Sequence, residues 1–200
     1  MSFLAWRWLS MACCSKLACS GVTTRVLTFG RFRTIVDVGG GNGALLAGVL
    51  AANPKLEGTV FDLPHVVQRA PALLAQAKVA SRCRVVGGSF FESVPEGADA
   101  YILRAVIHDW SDEDSIRILS VVRRAIGADG VLLLIERVIA PPNEGRDVKF
   151  SDLNMLVGPG GRERSREEYA AIFEASGFRL GAVVPAGAHS LFEAAPANGR

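Results

Sequence analysis

The chain first of all lacks an excess of charge of either sign. Its 22 Lys and Arg stand against 20 Asp and Glu, a formal net charge of +2 over 200 residues. No basic stripe with interleaved aromatics runs along it, so a nucleic-acid surface is not expected. Long apolar runs are missing too. None reaches the ~18 residues that a membrane span requires. Cysteine is sparse: Cys13, Cys14 and Cys19 fall in the first 20 residues and Cys83 stands alone in the body. None is spaced with histidines as a zinc site needs, so no metal is expected. The expectation is a reduced, cytoplasmic protein without structural disulfides. The length suits one domain with a real core, and there is no internal repeat or low-complexity block.

The first 30 residues also lack periodicity. "MSFLAWRWLSMACCSKLACSG" mixes aromatics, cysteines and serines. Arg7 and Lys16 interrupt its apolar stretch and no charged start precedes it, so it reads as a tail and not as a secretion signal. Residues 31–200 read as the domain.

From Arg33 the pattern is regular. "TIVDVG" (34–39) is a short β-branched run that suits a buried strand, and "ALLAGVLAA" (44–52) suits a helix stopped by Asn53-Pro54. "EGTVFD" (57–62) is a second strand. Residues 63–80 predict a helix opened by Pro64 and kinked or divided at Pro71. "RCRVVGG" (82–88) and "DAYILRAVIH" (99–108) are strands three and four. Ser111 caps the next helix, whose buried face is marked by Ile116, Leu119, Val122 and Ile126. "GVLLLIERVI" (130–139) is a fully buried fifth strand. "SREE" (165–168) is a capping box opening a helix through Ser176. Two strands, 178–186 and 190–196, close the chain with no helix between them. Alternating strands and helices mean an α/β fold, a mostly parallel sheet covered on both faces, and the final pair adds an antiparallel hairpin.

The glycines that matter stand at 39, 40, 41 and 43, where the first strand ends and a helix begins. In a parallel sheet, ligands sit outside the carboxyl ends of the strands. Glycine lets the backbone turn tightly and lie close to such a ligand. A nucleotide phosphate is one candidate guest. The spacing is D-x-G-x-G-x-G, however, and Asp37 sits inside the strand end. A carboxylate there repels pyrophosphate and suits a cation. S-adenosylmethionine carries an ammonium and a sulfonium and no phosphate. Asp62 ends the second strand, where a carboxylate can accept hydrogen bonds from both ribose hydroxyls. A Gly-rich turn without a ligand is the alternative.

"VDVGGGNG", "FDLPHV", "ILRAVIHDWSDED", "LLLIERV" and "DLNMLVGPGGRERSREEYAAIFEASGF" together resemble the small-molecule O-methyltransferases, the family of the plant caffeic acid and acetylserotonin enzymes and of bacterial relatives acting on polyketides and carotenoids. The likeness covers about residues 31–197. It implies a class I methyltransferase fold, a Rossmann-like seven-stranded sheet that binds S-adenosylmethionine and releases S-adenosylhomocysteine. It implies methyl transfer to a hydroxyl of a small, usually aromatic molecule. The family's base falls on His108, flanked by Glu136 and Glu163. Its cofactor contacts fall on Gly39, Gly41, Asp62 and Leu63 beside Asp37, with Ser89, Phe90 and Arg104 also on the cofactor. Asp152, Asn154 and Met155 lie on the segment facing the acceptor. Two positions depart from the family pattern: Ser89 stands where Asp is usual, and Arg104 where Lys is frequent. The family forms homodimers through a helical N-terminal domain, which has no counterpart in residues 1–30.

The chemistry fits these residues. A phenol of pKa near 10 is mostly protonated at neutral pH, so a base is useful, and histidine suits that task. Glu136 ends an apolar strand and can orient an imidazole, as the acid of a triad does. Glu163 faces either that imidazole or Arg162 and Arg164. Trp110 lies either beside the adenine or in the core, and Met155 either lines the acceptor or fills a core. His65 and His189 read as ordinary. Two other functions compete: a nicotinamide-dependent oxidoreductase, which the glycine spacing opposes, and a cofactor-binding remnant with little catalysis.

Overall fold

The structure, a computed structural model, describes residues 29–197. The expected N-terminal tail therefore falls almost wholly outside the described residues. Seven strands form one sheet: β1 Thr34–Val38, β2 Glu57–Asp62, β3 Cys83–Gly87, β4 Ala100–Arg104, β5 Val131–Glu136, β6 Phe178–Ala186 and β7 His189–Pro196. Their order is β3-β2-β1-β4-β5-β7-β6, with β7 antiparallel to both β5 and β6. The α/β class and the closing hairpin are as the sequence implies. The helices are α1 Ala44–Ala52, α2 Pro64–Val67, α3 Ala70–Gln76, α4 Asp112–Ala125, α5 Arg146–Val157 and α6 Arg166–Ala175.

The central strands are buried on both faces, which is why they read as unbroken apolar runs. Val36, Val38, Tyr101, Leu103, Leu132 and Leu134 join Leu119 and Val122 of α4 and Tyr169 and Phe173 of α6 in one core. Ile35, Ile102, Leu133 and Ile135 face the other way, onto Leu46, Val49 and Leu50 of α1 and Leu74 of α3. Ser111 caps α4 by accepting from the Asp114 amide, and both halves of the Ser165–Glu168 capping box are made.

The helical stretch over 63–80 is divided at Pro71, as its position implies, into two short helices of which Pro71 opens the second. Two features differ from the sequence reading. The fourth strand stops at Arg104. Ala105 takes a left-handed conformation (φ 52°), and the chain then coils into a 3-10 turn, Ile107–Asp109. Helix α5 was not expected at all; it buries none of its residues, and Phe150, Leu153, Leu156 and Val157 lie exposed along it.

The chain leaves β1 toward β2 and β3, then crosses back to β4 on the other side of β1. The gap between the carboxyl ends of β1 and β4 is the topological switch point, where such sheets hold ligands. Leu134 is fully buried in the sheet centre. Leu134→Ala is expected to cost ~2–5 kcal/mol, read as a lower denaturant midpoint at unchanged slope.

Candidate active site

The glycine loop is tied to the end of β2. Gly39 and Gly40 donate their amides to Phe61 O at 2.8 and 3.1 Å, and Gly41 donates to Asp62 Oδ2 at 3.0 Å. Gly43 donates to Gly40 O, and Ala44 to Asn42 Oδ1. Gly39, Gly41 and Gly43 all have positive φ, and a Cβ on Gly40 would sit 2.9 Å from the Asp37 carboxylate. These bonds leave the loop with few free amides to offer a phosphate. Its charge is negative instead.

Asp37 is 2% exposed, and its Oδ2 has no hydrogen-bond partner. Burial first, and then neighbouring Asp62, push its carboxyl up to about 7, against a smaller pull from Arg104. A buried carboxylate with an open oxygen fits an ammonium or another cation. Asp62 accepts from Leu63 N at 2.7 Å as well as from Gly41, so its two oxygens brace the loop. The Ser89 hydroxyl accepts from Phe91 N and caps a local turn. Phe90 backs the loop near Gly39, lies tilted against Phe91, and both rings meet Trp110 edge-on in an aromatic cluster. Trp110 is half-buried, packed against these rings at the margin of the core.

On the far side of the switch point the 3-10 turn presents His108, 14% exposed at its side chain. Its Nδ1 faces Glu163 Oε1 at 3.4 Å and Glu136 Oε2 at 3.6 Å, and its Nε2 lies 3.5 Å from Asp109 Oδ1. Burial opposes a charged imidazole. Glu136, Glu163 and Asp109 outweigh it and push His108 up to about 9. Burial raises Glu136 above the usual carboxylate range. Glu163 is held below that range against its burial, by His108 and by Ser151, whose hydroxyl donates to it at 2.7 Å.

Glu136 does more than face the imidazole. Its Oε1 accepts from Val106 N at 3.0 Å and Ile107 N at 2.8 Å, which fixes the turn itself. Arg162 and Arg164 do not neutralise Glu163. Both reach Asp112, and Arg162 also reaches Glu168. Asp152 accepts from the Glu163 amide at 2.8 Å, while Asn154 is exposed and Met155 half-buried on α5.

Sequence reasoning missed two residues here. Arg164 is fully buried, and its guanidinium donates to Ile107 O, Trp110 O, Arg162 O, Ser115 Oγ and Asp112 Oδ1. Gly161 passes so close beneath the turn that a Cβ would fall 2.0 Å from His108 O. Arg162 N donates to that same oxygen at 2.9 Å. An Arg and a Gly in a polar loop carry no signal of burial, so nothing in their spacing marked them.

The buried Asp37 has a consequence for stability. An acid whose folded pKa is raised holds its proton more tightly folded than unfolded. Its contribution therefore falls as pH rises from about 4 to about 7, and the penalty is full above 7. Asp37→Asn should stabilise the ligand-free fold at pH 8 by up to about 4 kcal/mol and leave it little changed at pH 4. Urea unfolding of both proteins at the two pH values checks this.

The chain is similar to known small-molecule methyltransferases. The O-methyltransferase domain family matches residues 9–179. A phenazine O-methyltransferase from Lysobacter antibioticus is 46% identical over 169 residues, 84% of this chain and 50% of that protein. An 8-amino-8-demethylriboflavin N,N-dimethyltransferase from Streptomyces davaonensis is 40% identical over 161 residues, 80% of this chain and 46% of that protein. Among solved structures is NcsB1, an O-methyltransferase of neocarzinostatin biosynthesis, in complex with S-adenosylmethionine and 2-hydroxy-5-methyl naphthoic acid. It superposes with a TM-score of 0.81 at 36% identity, over 87% of this chain and 52% of that one. The chain spans about half the length of the curated relatives it matches. Its sheet is the class I methyltransferase sheet, and the chain belongs to the O-methyltransferase domain family.

Proposed function

We propose that this chain binds S-adenosylmethionine at the glycine loop and promotes methyl transfer to a hydroxyl of a small aromatic acceptor, with His108 as general base. The observation that carries the reading is the imidazole itself. It stands at the carboxyl edge of the sheet with Nδ1 between two buried carboxylates, and they lift it to about 9. That value lies close to the ~10 of a phenol, so proton transfer between the two is nearly balanced.

Asp37 suits the ammonium of the methionyl moiety, Asp62 the ribose hydroxyls, and Phe90 backs the loop on which the cofactor would lie. Ser89, Leu63, Gly39, Gly41 and Arg104 complete that side. S-adenosylmethionine, when bound, supplies a methyl group already activated on a sulfonium. The chain then has to position and deprotonate. His108 Nε2 takes the proton of the acceptor hydroxyl while Nδ1 stays against Glu163 and Glu136, which stabilise the imidazolium formed. Asp152 holds the Glu163 amide in place, and Asn154 and Met155 stand on the helix beside it, toward the acceptor. The dimethyltransferase among the relatives favours a second reading, an amine acceptor. An arylamine already offers a free lone pair, so a base tuned near 9 adds little to that reaction.

Calorimetric titration with S-adenosylmethionine and S-adenosylhomocysteine tests the first half. Micromolar binding is expected, weakened ~10–100-fold for S-adenosylmethionine in Asp37→Asn by loss of a charged hydrogen bond. Absence of binding by folded protein would reduce the loop to a remnant. The second half is tested by the pH dependence of kcat/KM on a hydroxyarene. The base works deprotonated, so the rate should rise with pH and level off above about 9. Glu163→Gln withdraws a negative charge from Nδ1 and should move that limb to lower pH, with a lower plateau. Arg164→Lys leaves too few donors for the turn, and turnover should fall about 10²-fold while cofactor affinity stays within ~2-fold.

A further inference from the structure

Two basic side chains beside the site have no part in this chemistry, and they stand together with a third. Side chains alternate along a strand. Ile102, Ile135 and Leu191 share the core on one face of the sheet. Arg104, Arg137 and His189 each lie two residues from one of them, at the carboxyl edge of β4, just past the end of β5 and at the start of β7. The ladders pair Arg104 with Ile135 and Glu136 with Ser190, and one further step sets Arg137 beside His189. The three therefore sit on one face, at the sheet's carboxyl edge, on or beside three neighbouring strands.

All three are half-buried, and Arg104 Nε is buried with no hydrogen-bond partner. Among the described residues, neither Arg104 nor Arg137 is in an ion pair within 4 Å, although Asp37 lies near enough to feel the first and Glu163 the second. His189 feels Arg104, Arg137, His108 and Glu163, so the cluster borders the base. Burial and those cations hold its imidazole down at about 4, which leaves it a neutral hydrogen-bond donor. Crowded, partly desolvated cations are costly unless something of opposite charge completes them.

The strand order says which molecule that is. The acidic loop suited to a cationic cofactor belongs to β1 and β2, and β5 and β7 lie on the other side of β4. Glu163 and Glu136 are close by, so a single negative charge fits better than a dianion. We infer that Arg137 and His189, flanked by Arg104, form a carboxylate-binding subsite, and that the methyl acceptor is an aromatic hydroxy acid. This rests on the methyl-transfer reading.

The probes are 3-hydroxy-2-naphthoate and 2-naphthol, which differ only in the carboxylate, titrated calorimetrically into protein saturated with S-adenosylhomocysteine. The acid should bind at least ~10-fold tighter, the scale of one charge-assisted hydrogen bond. Arg137→Gln and His189→Gln should each shrink that ratio toward one while leaving the naphthol and S-adenosylhomocysteine affinities unchanged. Equal affinities for the two probes, or binding of neither, would overturn the subsite. Loss of S-adenosylhomocysteine affinity in Arg137→Gln would assign the cluster to the cofactor's own carboxylate and overturn the acceptor reading. Failure of the wild type to bind S-adenosylhomocysteine would sink the methyl-transfer reading separately, and the acid-to-naphthol ratio on the free protein would still judge the subsite.

Discussion

Everything at the acceptor side hangs on the buried guanidinium of Arg164. An arginine has five N–H donors in a rigid fork. Here Nε reaches Asp112, Nη1 reaches Ile107 O and Arg162 O, and Nη2 reaches Trp110 O and Ser115 Oγ. Three of those five acceptors are backbone carbonyls, and two of them belong to the turn around His108. A charge with no exposure is tolerable only when every donor is matched, and removing such a partner typically costs ~3–5 kcal/mol. From the opposite side Glu136 accepts two amides of the same turn. Gly161 allows the backbone of the arginine's loop to lie against His108 O. The turn is thus gripped by its carbonyls and its amides at once, which is what permits Ala105 to stay left-handed just before it.

The two sides of the switch point are built on opposite economies. On the acceptor side three carboxylates, Glu136, Glu163 and Asp109, surround an imidazole that can take a positive charge. The loop side is built differently. Asp37 and Asp62 stand near one another, the first with an open oxygen, and the loop amides are already taken by β2. A positively charged guest would offset that imbalance. A phosphate would worsen it.

The sequence displayed the sheet well because its central strands are buried on both faces and its loop is forced to be glycine by positive φ and by the nearness of Asp37. The capping residues Ser111 and Ser165 were equally plain, since their chemistry is local. The early end of β4 was not. "AYILRAVIH" is mostly apolar, and it is residues far on in the chain, Glu136 and Arg164, that hold Val106 and Ile107 out of the ladder. Helix α5 escaped because it packs none of its side chains into either core, so its apolar residues follow no helical period that the body of the domain would impose. His108, Glu136 and Glu163 were found from a resemblance of motifs. The structure brings the three together, but it was the motif and not the spacing that named them. Arg164, Gly161 and the Arg137–His189 pair were invisible for a common reason: each acquires its meaning from a strand or loop distant in sequence.

The central claim is that the carboxylates around His108 make it an unusually strong base within a rigid turn. Titrating the isotope-labelled histidine side chains by NMR, with His108→Gln used to assign the resonance, measures this directly. The account predicts a midpoint for His108 near 9, falling toward the ordinary histidine range in Glu163→Gln. A midpoint near 6.5 in the wild type, unmoved by that substitution, would contradict it.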